Sequence, residues 1–225
     1  MSFAYSRISV ISGWPPRLVC VEIAMFQFGR YTFKRADTVC EFDQVHVLNH
    51  STFVREIPQH DDPGDGRLVD KFHMKSLYFI ALRDERVVGM VTLHDQPPFS
   101  VAGRLPNSGV LEATGVRPLE IRLLAIEPGE RRGAVFGGLL WSVYQHVIHG
   151  NHTHLFISAF EDRLALYTRL GFEVLGPAVC SGQARFVPMC IAVARMAARH
   201  SRLAGLWEQG VEMQTPANTS NEHRA

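Results

Sequence analysis

Between Glu120 and Leu140 the chain reads EIRLLAIEPGERRGAVFGGLL, and this run constrains the fold more than any other. It predicts a buried strand, a short turn rich in Gly and Arg, and the amphipathic start of a helix. A strand that feeds a helix N-terminus leaves backbone N–H groups without intrahelical partners. The helix dipole adds positive potential at the same place, so the junction suits an anion. Arg131 and Arg132 contribute full charges beside it, and a phosphate-bearing ligand is the natural occupant. The same residues fail as a dinucleotide fingerprint, because GAVFGG is not G-x-G-x-x-G.

Composition excludes more than it assigns. The chain has 225 residues, of which 46% are hydrophobic and 20% charged, as in an ordinary globular protein. A formal net charge of +1 gives no electrostatic reason to expect nucleic acid or an anionic membrane as partner. No apolar run reaches the ~18 residues that a bilayer span requires. Cys20, Cys40, Cys180 and Cys190 lack CxxC spacing, so they are expected as free, mostly buried thiols in a reducing, cytoplasmic setting. The expected organisation is an N-terminal extension over residues 1–27, one domain over 28–200, and a polar, disordered tail over 201–225.

Within the domain, Tyr31–Ala36 alternates as a strand, and Asp37 or Thr38 is placed to cap a helix. Apolar residues at Cys40, Phe42, Val45, Val47, Leu48 and Phe53 predict an amphipathic helix, which Pro58 ends. HDDPGDGR, from His60 to Arg67, is a loop. Leu77–Leu82 and Val87–Leu93 form a hairpin around Arg83–Arg86. A long Pro-, Gly- and Ser-rich connection runs from Pro97 to Arg117, the kind of loop that usually carries function. Then come a strand at Glu120–Ile126, a helix at Arg132–His149, a strand at His154–Ala159, and a helix at Asp162–Leu170 closed by Gly171. Val174–Leu175 and Ala184–Val193 complete the sheet.

This order of elements resembles the GCN5-related N-acetyltransferase (GNAT) superfamily. Two motifs carry the resemblance: the segment Pro128–Leu140, similar to the family's pyrophosphate-binding turn Q/R-x-x-G-x-G/A, and LYTRLGF at Leu166–Phe172, similar to its LYxxLGF helix ending. The resemblance implies an α/β (α+β) acyl-CoA acyltransferase fold, a mixed central sheet flanked by helices. The spacing of Phe53 and Glu56, of Asp70-Lys71-Phe72 and of Glu120-Ile121-Arg122-Leu123 resembles the long-chain N-acyl amino acid synthases and the acyl-homoserine lactone synthases. It implies an N-acyltransferase that moves a medium or long acyl group from a thioester to the amine of an amino acid or other small molecule. No tightly bound cofactor is implied; acyl-CoA or acyl-phosphopantetheine on acyl carrier protein serves as co-substrate. Ala134 and Phe136 stand where small residues are implied, and Phe136 would obstruct a close pyrophosphate. That departure shifts the expected carrier toward a phosphopantetheine arm without the nucleotide diphosphate.

Aminolysis of a thioester needs a base for the amine, donors for the tetrahedral oxyanion, and an acid for the leaving thiolate. By the resemblance, Tyr167 is the acid and Glu120 the base acting through water. The backbone of Leu124, Ala125 and Ile126 is the oxyanion side, and Arg131, Arg132, Gly133, Ala134 and Gly137 hold the carrier phosphate. Phe53, Glu56, Asp70 and Arg122 line the acceptor side. His73 is a weaker candidate base, and Phe99 and Met90 are candidate acyl-tunnel walls. His146, His149, His152 and His154 cluster in sequence, but Gly150-Asn151 breaks their register and no metal is expected. Two other readings stay open: an acetyl-CoA-dependent N-acetyltransferase, and a non-catalytic GNAT-like ligand-binding module.

Overall fold

The computed structural model describes residues 25–131 and 133–198. The expected tail and all but the last three residues of the expected extension lie outside the described residues. Phe26–Phe28 (β1) pairs with Tyr31–Arg35 (β2), so the sheet begins inside the segment expected as extension. Thr38 then starts Val39–His50 (α1) with a full capping box: its hydroxyl accepts from Glu41 N, and the Glu41 carboxylate accepts from Thr38 N. The helical path widens into a π-turn at Ser51–Glu56 before Pro58 stops it. Widening by one residue per turn re-aims the side chains that follow.

Leu77–Arg83 (β3) and Arg86–His94 (β4) form the expected hairpin. Its two tip residues, Asp84 and Glu85, take φ of 51° and 63°, the positive-φ geometry that matches strand twist in a two-residue loop. Pro118–Ile126 (β5), Ala134–His149 (α2), His154–Phe160 (β6) and Leu164–Leu170 (α3) follow as expected, and Gly171 ends α3 at φ 98°. Glu173–Val174 (β7), Val179–Ser181 (β8) and Ala184–Ala192 (β9) finish the sheet.

The nine strands run in the order β1-β2-β3-β4-β5-β6-β9-β7, with β8 also on β9. All pairs are antiparallel except β5 with β6. Two layers cover the sheet. On one face α2 buries Val135, Leu139, Val143 and Val147 against Phe33, Phe79, Val91 and Leu119. Contact there is close enough that a Cβ on Gly138 would lie 2.2 Å from the Phe33 ring. On the other face α1 and the π-turn cover Tyr78, Ile80, Met90 and Ala125. The long connection Phe99–Val116 covers Phe156 with Val101 and Leu111.

Two expectations fail at the surface. Val47 is exposed, and Cys40 and Cys180 are exposed rather than buried, Cys190 being half-buried. Among the described residues no helix is long and apolar enough to cross a membrane.

Candidate active site

The site is built by two strands that part. β5 and β6 pair from Pro118–His154 to Ile121–Ile157 and no further. Beyond that point β5 stays with β4 as far as Ile126, and β6 stays with β9 as far as Phe160. A wedge therefore opens between Arg122–Ile126 and Ser158–Phe160, and backbone groups on the inner edges lack strand partners. A β-bulge sharpens it: the β4 partners jump from Arg122–Thr92 to Ala125–Met90, with Leu123 at φ 47°. A non-Gly residue in that region costs on the order of 1–3 kcal/mol, and such outliers concentrate where a strand must aim its backbone at a ligand. Of the residues expected as the oxyanion side, Leu124 lies in the bulge and Ala125 and Ile126 follow it.

Below the wedge, Pro128–Glu130 forms a single 3-10 turn. Glu130, buried, accepts from the Tyr31 hydroxyl at 2.5 Å and from Arg83, which ties the turn to β2 and β3. Gly133 precedes α2 and offers no side-chain cap, so the first-turn N–H groups of α2 have no side-chain acceptor. Ala134 opens the helix, and Phe136 packs on the main core. Arg132 lies outside the described residues. Arg131, expected on phosphate, is already engaged: Nη1 donates to Glu56 Oε1 at 2.6 Å, Nη2 to Glu56 Oε2, and Nε to the Ile126 carbonyl at 2.9 Å. This fork raises the Arg131 pKa and lowers that of Glu56, chiefly through their shared hydrogen bonds. The pair thus joins a residue expected on the donor side to one expected on the acceptor side.

Glu120 corrects an expectation. Its side chain is 0% exposed. It accepts from His94 Nε2 at 2.9 Å, Ser100 N at 2.7 Å, Val101 N at 2.8 Å and the Ser100 hydroxyl. Burial pushes its pKa up, but the bonds from His94 and Ser100 and the charges of Arg122 and His94 outweigh burial and hold it below the ordinary glutamate value. A carboxylate this saturated is a poor base; it anchors the start of the long connection against β4 and β5. Arg122 does not pair with it. Nη1 of Arg122 donates to Asp70 Oδ2 at 2.6 Å, with both side chains largely buried, and its guanidinium lies 4.6 Å from the Phe72 ring centre.

Phe53 is a second correction. It is 6% exposed and packs with Met90, Ala125 and Tyr78 from within the π-turn. His73, offered as a base, bonds the Tyr78 hydroxyl at 3.1 Å under α1. Phe99 packs in the cluster of the long connection, and Met90 lies in the core under α1.

Two residues that sequence reasoning missed stand in the site. Arg104, from the long connection, reaches β6 and donates through Nη1 to Ser158 Oγ at 3.4 Å and to the Ser100 carbonyl at 3.2 Å. Its guanidinium lies 5.2 Å from the Phe186 ring centre. Its Nε is buried with no partner, which costs on the order of 1–3 kcal/mol. His60 feels Asp70, Arg122, Lys71 and Arg104: burial lowers its pKa most, Asp70 opposes that, and the three cations reinforce it more weakly. Neither residue belongs to a motif, and His60 sits in a run whose only sequence signal is a turn.

Tyr167, on α3, is half-buried and packs on the main core, its ring edge-to-face with Phe172 at 6.2 Å. Burial raises its pKa, so the hydroxyl keeps its proton at neutral pH. Of the four clustered histidines, His149 bonds Gln145 O at 2.8 Å and His154 bonds Thr153 Oγ1 at 2.9 Å, while His146 and His152 stack on each other at 5.8 Å.

The fold is similar to that of solved acyltransferases. The N-acyl amino acid synthase FeeM from uncultured soil microbes superposes with a TM-score of 0.62 at 15% identity, covering 79% of this chain and 98% of that one. The acyl-homoserine lactone synthase LasI gives 0.57 at 15%, covering 72% and 89%. BjaI, a CoA-dependent acyl-homoserine lactone synthase solved with SAM and isopentyl-CoA, gives 0.53 at 20%, covering 72% and 81%. No curated protein sequence matches. The protein thus has the GNAT-like fold of these acyltransferases. The family model described as N-acyl amino acid synthase FeeM matches residues 44–193, well over half of the chain, and the chain belongs to that family.

Proposed function

We propose that the protein transfers a medium- or long-chain acyl group from a thioester carrier to the amine of an amino acid. The observation that carries this reading is the wedge beside the Leu123 bulge, which presents the unpaired β5 edge at Arg122–Ile126 to an extended thioester arm. In this reading the amine nitrogen attacks the thioester carbonyl, the C–N bond forms, and the oxyanion is held by N–H groups of Leu124–Ile126. His60 takes the proton from the amine: its lowered pKa keeps it neutral and ready at pH 7. The C–S bond then breaks, and Tyr167 gives its proton to the thiolate. Asp70 and Arg122 fix the acceptor wall as a buried pair, while Glu120 holds the long connection in place.

The carrier is the finer part of the proposal. Arg131 is bonded to Glu56, and the turn before α2 holds one Arg/Gly junction, so a phosphopantetheine arm on acyl carrier protein needs less of the chain than a whole coenzyme A does. For a chain longer than acetyl, support comes from a cavity of about 370 Å³ at the start of β6, lined by Val110, Val116, Phe156, Leu175 and Ile191 with His154, Glu173 and Arg195 on its polar side. The setting in this reading is the cytoplasm, where Cys40, Cys180 and Cys190 stay free thiols.

The test is thiol release with acyl thioesters of graded length, on coenzyme A and on carrier protein, against a panel of amino acids. Release with carrier-bound octanoyl or longer chains and formation of the N-acyl product are expected. Folded protein that releases no thiol above background overturns the reading, and acetyl-CoA as the best donor moves it to a short-chain N-acetyltransferase.

A further inference from the structure

We propose that Arg104 selects the acceptor, by binding an acceptor carboxylate through the Nε–Nη2 edge of its guanidinium. The assignment rests on the acyl-transfer reading above and goes beyond it in naming the residue that separates an amino acid from a plain amine.

The argument starts from charge. The other partly buried cations of the site are neutralised or occupied, and Lys71 is exposed. Arg122 holds Asp70, Arg131 holds Glu56, and the Lys75 ammonium donates to the carbonyls of Gln96 at 2.5 Å and Pro98 at 2.6 Å. Among the carboxylates, Glu120 is saturated by His94, Ser100 and Val101. Arg104 alone of these keeps a guanidinium with no carboxylate partner among the described residues; its hydrogen bonds are to a carbonyl and a hydroxyl, both long at 3.2 and 3.4 Å.

Geometry narrows the occupant. Both of those bonds use Nη1, which leaves the opposite edge, Nε with Nη2, free. That edge is the one a carboxylate meets with two parallel N–H···O bonds. Nε is buried and lacks a partner, so an incoming carboxylate would satisfy a donor that nothing in the chain satisfies. The ring of Phe186 beneath the guanidinium fixes its plane, and Ser158 places it on the β6 wall of the wedge. Because Ser158 lies on β6 just beyond the last residue paired with β5, an acceptor gripped by its carboxylate at Arg104 reaches with its amine toward the unpaired β5 edge. A solvated surface arginine would need neither a ring beneath it nor a buried Nε.

Two measurements on the full chain test this. The first uses acceptors that differ only in the carboxylate: leucine against isoamylamine, and phenylalanine against phenethylamine, with a long-chain thioester. The wild type is expected to prefer the amino acids by at least ~100-fold in kcat/KM. Arg104→Gln is expected to lose ~100-fold on the amino acids, mostly through KM, and to leave the amines and the donor KM within ~3-fold. Arg104→Lys, which keeps the charge and loses the fork, should fall between. The second needs no turnover: calorimetry with N-octanoylglycine and with N-methyloctanamide. The acid is expected to bind at least ~30-fold tighter, and Arg104→Gln to abolish the difference. Equal binding of the two ligands, or a preference that survives Arg104→Gln, overturns the role of Arg104. Tight, Arg104-dependent binding of the acid without any acyl transfer keeps the role and overturns the reading it rests on.

Discussion

At the scale of single residues, the site separates chemistry from scaffolding by how many partners a side chain already has. Tyr167 has a hydroxyl whose proton burial retains. Tyr167→Phe is expected to lower kcat by about 10²-fold, the lower end for a general acid, with donor KM nearly unchanged; rapid-quench thiol release measures it. Glu120 has spent its lone pairs on four donors. Glu120→Gln is therefore expected to cost on the order of 2 kcal/mol of stability, since bonds to charged groups contribute about 1.5–3 kcal/mol each, while kcat falls less than ~10-fold. A thermal melt beside a rate measurement distinguishes anchor from base, and a kcat loss beyond 10²-fold with unchanged stability would restore the base. Sequence made both positions legible because strand order and LYTRLGF place them. It hid their roles, since a carboxylate becomes an anchor only when a distant Ser100 and His94 fold onto it. Arg104 and His60 were invisible for the same reason: their partners lie on other elements.

At the scale of elements, regular periodicity was readable and local departures from it were not. The hairpin, the β5–turn–α2 run and the Gly171 cap all follow from patterns that repeat within a few residues. The π-turn at Ser51–Glu56, the Leu123 bulge and the short strands β1 and β8 arise from tertiary packing, and all but β1 lie around the site. The π-turn leads into a strap that crosses toward the far wall. Glu56 bonds Arg131 below β5, and the Pro58 carbonyl accepts from Gln183 N at 3.0 Å in the β8–β9 turn. Gly182 makes that crossing possible: φ is +58°, and a Cβ there would lie 2.7 Å from the Pro58 oxygen and 2.8 Å from the Gln59 oxygen. Gly182→Ala is expected to push the strap off its seat, raising acceptor KM by ~10-fold with little effect on donor KM. A donor KM that moves as much as the acceptor KM would show that the strap does not belong to the acceptor side.

For the whole molecule, acid acts on the two faces of the sheet differently. On the α1 face, His60 is the base of the proposed reaction and its pKa lies below the ordinary 6.5. Activity is lost as the pH falls through that lowered value, so the acid limb of kcat/KM is expected below pH 6.5, and His60→Gln should abolish it. On the α2 face, His146 is buried against Phe79 with Nδ1 unpartnered, and His152 stacks on it at 5.8 Å. Burial first, then the neighbouring His152, lowers its pKa to about 4, with Asp95 opposing and Arg35 reinforcing. Between those values the unfolded chain binds a proton that the folded chain refuses. Folding is thus favoured least at low pH: the penalty is absent above about 6.5, grows as the pH falls, and levels off below about 4, reaching on the order of 3 kcal/mol. Replacing the imidazole with a ring that cannot titrate removes that slope and the unpartnered nitrogen together. His146→Phe is therefore expected to melt higher than the wild type at pH 5, with a smaller gain at pH 7.5, as followed by circular dichroism. A gain that stays constant across the range would assign the effect to packing on Phe79 alone.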